Sequence, residues 1–138
     1  MKKLLIVLGF AGLAFAGYMS ASKIALGKCA FNETCPYFLG YPACFYGFAM
    51  YALITISAIV LISNATIARY ALRAIIGVSL AGTIFSGYFA LEELPAFFKL
   101  GFKAYMLGLP TCVLGFIFYI LIFLVSLCCA KHEQKTAR

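Results

Sequence analysis

Four stretches of this chain carry no charged residue and are long enough to cross a membrane: residues 4–22, 34–68, 74–91 and 104–130. At about 20 residues per crossing each holds one helix, because in lipid an isolated segment satisfies its backbone only by coiling on itself. The second stretch is the longest, but its first part is rich in Cys, Pro and Gly, so its helix is placed near residues 43–63. The expectation is a single all-α membrane domain over 1–138, a four-transmembrane-helix bundle with helices near 4–22, 43–63, 72–91 and 110–130. A composition of 65% hydrophobic and 11% charged residues excludes an ordinary soluble domain.

Basic residues in short loops mark the cytoplasmic side. In a four-span arrangement Lys2, Lys3, Arg69, Arg73, Lys131, Lys135 and Arg138 share one side. The other side has Lys23, Lys28, Lys99 and Lys103, largely offset by Glu33, Glu92 and Glu93. Both termini are then cytoplasmic. The net charge of +7 reads as positive-inside bias plus attraction to anionic lipid, with the bilayer rather than nucleic acid as the partner. Lys2, Lys3 and the Ala14, Phe15, Ala16 triplet also resemble a signal peptide with its cleavage site. The apolar run, however, continues to Ser22, so the segment is read as a retained span.

The chain writes one segment twice. Residues 40–51 and 108–119, laid over each other at an offset of 68, agree at Gly40 and Gly108, Pro42 and Pro110, Cys44 and Cys112, Gly47 and Gly115, Phe48 and Phe116, and Tyr51 and Tyr119. At an offset of 70, Ala11, Gly12, Phe15, Gly17 and Tyr18 recur as Ala81, Gly82, Phe85, Gly87 and Tyr88. The first helix thus repeats in the third and the second in the fourth, an internal repeat of 1–63 and 72–130. This predicts two parallel-repeated helical hairpins about an axis along the membrane normal. Gly12 with Ala16, and Gly82 with Ser86, are small residues on one helix face and read as packing seams.

Each repeated segment opens an apolar run, with proline expected at the first helical position and the cysteine in the first turn. The positive end of a helix dipole favours a thiolate over a thiol there, one of the recognised routes to a reactive cysteine. Cys29 and Cys35 lie in the first outer loop, spaced for an easy disulfide if the backbone turns, in an oxidising setting. Aromatic residues crowd the outer ends: Tyr37, Phe38, Tyr41, Phe45, Tyr46, Phe97, Phe98, Phe102 and Tyr105. Most read as an interfacial belt, while Phe45 and Tyr46, next to a thiol, are candidates to line a pocket for a flat apolar ligand. Glu92 and Glu93 read as solvated interface charges, Cys128 and Cys129 as lipid-facing or packed, and His132 as part of a polar tail. The chain has no His or Cys at zinc spacing and no Ser, His and Asp set for acyl transfer, so no metal site is expected. What remains is a thiol–disulfide relay ending at a lipid quinone, a carrier of soft metal ions, or a non-catalytic membrane protein with structural cysteines.

Cys29 and Cys35 on the first outer loop, then Leu39, Gly40, Tyr41 and Pro42 opening a helix with Gly47 five residues on, resemble the vitamin K epoxide reductase family. The four-span layout and a fourth helix beginning at a cysteine resemble it too, and in outline the bacterial membrane proteins that re-oxidise periplasmic disulfide donors. The resemblance implies a membrane thiol–disulfide oxidoreductase of the cytoplasmic (inner) membrane, if the cell is prokaryotic, using a quinone and a soluble thioredoxin-like partner on the outer face. It makes Cys29 and Cys35 the shuttle pair and Cys112 the quinone-proximal cysteine. The family's C-x-x-C at the start of the fourth helix is incomplete, since its first position is Leu109. The repeat supplies a replacement in Cys44, so Cys44 and Cys112 are the expected membrane-level pair.

Overall fold

The computed structural model describes residues 1–27, 37–100 and 111–136. Four helices, α1 (Lys2–Leu26), α2 (Ala43–Ser63), α3 (Ala68–Leu100) and α4 (Thr111–Thr136), form an antiparallel bundle, and a two-stranded ribbon, β1 (Tyr37–Phe38) and β2 (Tyr41–Pro42), precedes α2. All four helices are long and apolar enough to span a membrane. Their outward residues are apolar at mid-helix, among them Phe10, Leu53, Ile56, Ile84 and Leu124, as lipid requires and water would penalise. The ion pair between Lys2 and Glu133, at 2.6 Å, fixes the first and last turns at the same end of the bundle. That terminal end also carries the short α2–α3 connection, where the Thr66 N–H donates to the Asn64 side chain in an Asx turn.

The helices outrun the apolar stretches that announce them. α1 spans 25 residues, about 37 Å against a hydrocarbon core of about 30 Å. It stops where Gly27 turns left-handed (φ 65) and its N–H caps the Lys23 carbonyl. α3 begins at Ala68 rather than near residue 72 and runs through Glu92, Glu93 and Pro95 to Leu100. Helical hydrogen bonding does not end at the hydrocarbon boundary, and glutamate is a good helix former, so the loop expected to open at residue 92 is still helix there. α4 begins at Thr111 and reaches Thr136. Pro42 is the N-cap of α2, with extended backbone, one residue outside the first helical position expected for it. Its counterpart Pro110 lies outside the described residues.

The core is organised by two tyrosines. Tyr51 on α2 and Tyr119 on α4 stack with ring centroids 4.4 Å apart and planes within 13°. On the outer side of this pair Tyr51 lies against Gly12 of α1, and Tyr119 against Gly82 of α3. A Cβ at Gly12 or Gly82 would fall inside the neighbouring ring, so glycine is required there by space. The order across the bundle is therefore α1 backbone, Tyr51 ring, Tyr119 ring, α3 backbone. One turn along, Gly17 meets Phe48 and Gly87 meets Phe116, where added Cβ atoms would approach to 3.3 and 3.0 Å.

Each tyrosine also ties α2 to α4. The Tyr51 hydroxyl donates to the Gly115 carbonyl and the Tyr119 hydroxyl to the Gly47 carbonyl, both at 3.2 Å. By helical geometry the Gly47 carbonyl already accepts from the Tyr51 N–H and the Gly115 carbonyl from the Tyr119 N–H, so each carbonyl serves both tyrosines with its two lone pairs. Other core hydroxyls turn back on their own helices: Thr55 to the Tyr51 carbonyl, Ser79 to Ile76, Ser86 to Gly82 and Ser126 to Phe123. Exposure follows the same duplication. The sequence of buried, half-buried and exposed positions from residue 3 to 20 recurs residue for residue from 73 to 90.

The seams are not equivalent. α2 packs on α3 extensively, while α1 meets α4 along a much shorter interface.

Substituting Gly12→Ala or Gly82→Ala forces a ring to move, and each is expected to cost about 1–3 kcal/mol of stability, the usual range for overpacking. Gly77, on α3 with nothing within 4 Å of a Cβ, serves as the control. Gly77→Ala should leave the thermal midpoint in detergent unchanged or slightly raised.

Candidate functional site

The repeated cysteines occupy matching places. Cys44 is the second residue of α2 and Cys112 the second of α4. Each precedes by three residues the glycine whose carbonyl accepts a tyrosine hydroxyl, so each lies one turn, about 4.5 Å, from the crossed bonds toward the loop end. Both are half-buried, and Cys44, Cys112, Cys128 and Cys129 are all thiols rather than disulfides. The tyrosine bridges hold α2 and α4 a side chain's length apart one turn below. Direct pairing of the two needs Cα atoms within about 7 Å. Cys29 and Cys35 lie outside the described residues.

The surroundings of the two thiols differ. Ser20, buried near the end of α1, donates its hydroxyl to the Cys44 carbonyl at 3.3 Å. The residue at the corresponding place on α3 is Ala90, which has no hydroxyl to give. The first turn of α2 is thus pinned to its hairpin partner by a bond that Ala90 cannot make for α4.

The ribbon before α2 is a second asymmetry. Tyr37 pairs with Pro42 and Phe38 with Tyr41, and the chain reverses at Leu39 and Gly40, both with positive φ (50 and 86). That is the signature of a type I′ hairpin, with glycine at the second turn position and a leucine at the first that costs about 1–2 kcal/mol. Side-chain contacts hold the strained turn. The Phe38 ring sits edge-on to Tyr46 and Phe85 at 5.5 Å each and to Phe89 at 6.3 Å. The Tyr46 hydroxyl donates to the Phe38 carbonyl at 3.2 Å, and on the other flank the Lys23 ammonium lies 5.4 Å from the Tyr37 ring centre.

Of the two aromatic residues expected to flank a thiol and receive a flat ligand, Tyr46 is engaged in this ring cluster and Phe45 is half-buried. Phe38, assigned from sequence to the belt, is exposed on one side as Tyr37, Tyr41 and Phe98 are, and on the other its ring meets Tyr46 of α2 and Phe85 and Phe89 of α3. The side chain of Phe97, and all of Phe102 and Tyr105, lie outside the described residues. Glu92 is exposed, while Glu93 is half-buried with one carboxylate oxygen shut off from solvent, which corrects its reading as a solvated charge. At the terminal end Cys128 is exposed and Cys129 buried.

Maleimide labelling resolved by peptide mass should modify Cys128 fastest, Cys129 slowest, and Cys44 and Cys112 at intermediate rates. Ser20→Ala is expected to speed labelling of Cys44 and leave Cys112 unchanged; equal acceleration of both would show that the serine bond does not act locally.

No family model matches this chain, and no curated protein or solved structure is significantly similar to it.

Proposed function

We propose that the protein is a quinone-coupled thiol–disulfide oxidoreductase of the cytoplasmic membrane, built from two copies of one helical hairpin related by an axis along the membrane normal. Both termini face the cytoplasm and the cysteine-bearing first loop faces outward. The observation that carries the reading is the place at which the cysteine recurs. Among the positions common to the two copies, Gly12 and Gly82, Gly17 and Gly87, Phe48 and Phe116, and Tyr51 and Tyr119 meet as partners across each hairpin, while Gly47 and Gly115 receive the crossed hydroxyls. Cys44 and Cys112 recur as the second residues of α2 and α4, in the first turn of a helix, where thiol chemistry is favoured.

In this reading Cys29 and Cys35 exchange with a soluble dithiol or disulfide partner on the outer face, and Cys44 and Cys112 exchange with them in turn by thiolate attack. Each hand-over moves two electrons and two protons. When the Cys44 and Cys112 thiols close to a disulfide, a quinone takes up both electrons and both protons as quinol, and the reverse flow conserves the same count. Phe45 and Tyr46 flank Cys44 and border the quinone in this scheme. The glycines and tyrosines of the clamp hold the two first turns level with each other.

The test is a thiol count. Oxidised protein incubated with a reduced quinone analogue, then quenched and alkylated, should gain two alkylated thiols at Cys44 and Cys112. Cys44→Ala and Cys112→Ala should each abolish the gain. An unchanged count in the native protein, or a gain that survives both substitutions, contradicts the relay.

A further inference from the structure

We propose that the bundle opens along the α1–α4 seam, with the Lys2–Glu133 ion pair as the latch at the terminal end and the α2–α3 seam as the hinge. The proposal is independent of the thiol relay and rests on how the two seams are closed. By the repeat, α1 against α4 corresponds to α3 against α2. On the α2–α3 side the terminal end is sealed by Leu61, Leu72 and Ile75, exposed by 2%, 4% and 0%, and is covalently joined through residues 64–67. At the loop end the same seam is filled by the ring cluster of Phe38, Tyr46, Phe85 and Phe89.

The corresponding closure between α4 and α1 keeps two buried residues, Leu5 and Cys129 (0% and 3% exposed), and differs at the third. Leu61 corresponds to Cys129, Ile75 to Leu5 and Leu72 to Lys2. The dry leucine has become a lysine reaching 2.6 Å to Glu133, and α1 and α4 are not consecutive helices, so no short connection like residues 64–67 joins them. The ring positions at the loop end, Tyr46, Phe85 and Phe89, correspond to Leu114, Phe15 and Met19, so two of three rings are replaced by smaller or more flexible side chains. The contact between α1 and α4 is also the less extensive of the two. Both members of the ion pair are partly solvated, and an exposed pair is a weak, salt-screened tie. A seam in which one buried leucine is exchanged for such a tie separates before one that keeps all three apolar residues and a covalent connection.

Cys129, 3% exposed on α4 four residues before Glu133, reports on the latch. In full-length Cys128→Ser protein in lipid, alkylation of Cys129 by a membrane-permeant maleimide should be slow. Lys2→Ala or Glu133→Gln should speed it about two- to five-fold, the range an exposed ion pair supports, and the charge-reversed pair Lys2→Glu with Glu133→Lys should return it close to the native rate. Raising salt to about 1 M should accelerate it in native-latch protein and not in Lys2→Ala. Rates indifferent to the single variants and to salt overturn the latch. So does a rise shared equally by Cys44 and Cys112, which would signal general loosening of the bundle. Should the single variants fail to fold, the salt series on the protein with its native latch gives the decision alone.

Discussion

Two stacked tyrosine rings clamped between two glycines set the spacing of the whole bundle. Lipid supplies no hydrophobic drive between helices, so a membrane bundle holds by close packing and by polar bonds whose partners are otherwise absent. The Tyr51–Tyr119 pair provides both at once. Its ring faces fill the gap between the α1 and α3 backbones, and its hydroxyls bind α2 to α4 through carbonyls already engaged in helix bonds. Because each tyrosine completes what the other begins, all four helices are tied through one point.

Much of this was legible in the sequence, and what was missed is instructive. Four spans follow from uninterrupted apolar runs, since no other structure can place that much apolar chain without exposing backbone to lipid. The glycines at 12 and 82 stand out as small residues on one face, and they are seams as expected. A bare sequence suggests that such glycines admit a neighbouring backbone, whereas here they admit a tyrosine ring from the partner helix. The signal was present in Tyr51 and Tyr119, repeated in register with Gly47 and Gly115, but a spacing cannot show which helix a long side chain reaches. Helix ends were the least readable feature: α3 continues through Glu92, Glu93 and Pro95 because charge marks the edge of the hydrocarbon and not the end of hydrogen bonding. The ring contacts of Phe38 depend on a turn through Leu39 that no propensity favours.

The two hairpins differ around the repeated cysteines and at the ends of the seams. Ser20 holds the turn bearing Cys44, and Ala90 cannot do the same for Cys112; the Phe38 ribbon packs on one seam; an ion pair stands in for a leucine in the other. Cys44 and Cys112 thus stand at matching helix positions with different neighbours. In a two-thiol relay such a difference separates the cysteine attacked from outside from the one facing the acceptor.

The account stands on the tyrosine pair acting as one unit, and a double-mutant cycle on Tyr51→Phe and Tyr119→Phe tests that most directly. Each single change removes one hydroxyl bond and should cost a similar amount, about 0.6 kcal/mol by the average for bonds inside membranes. The double variant should depart from the sum by at least about 0.5 kcal/mol, as residues in one network do. Unequal single costs, or strict additivity, would mean that the two hydroxyls act separately and that the clamp is not what holds the bundle.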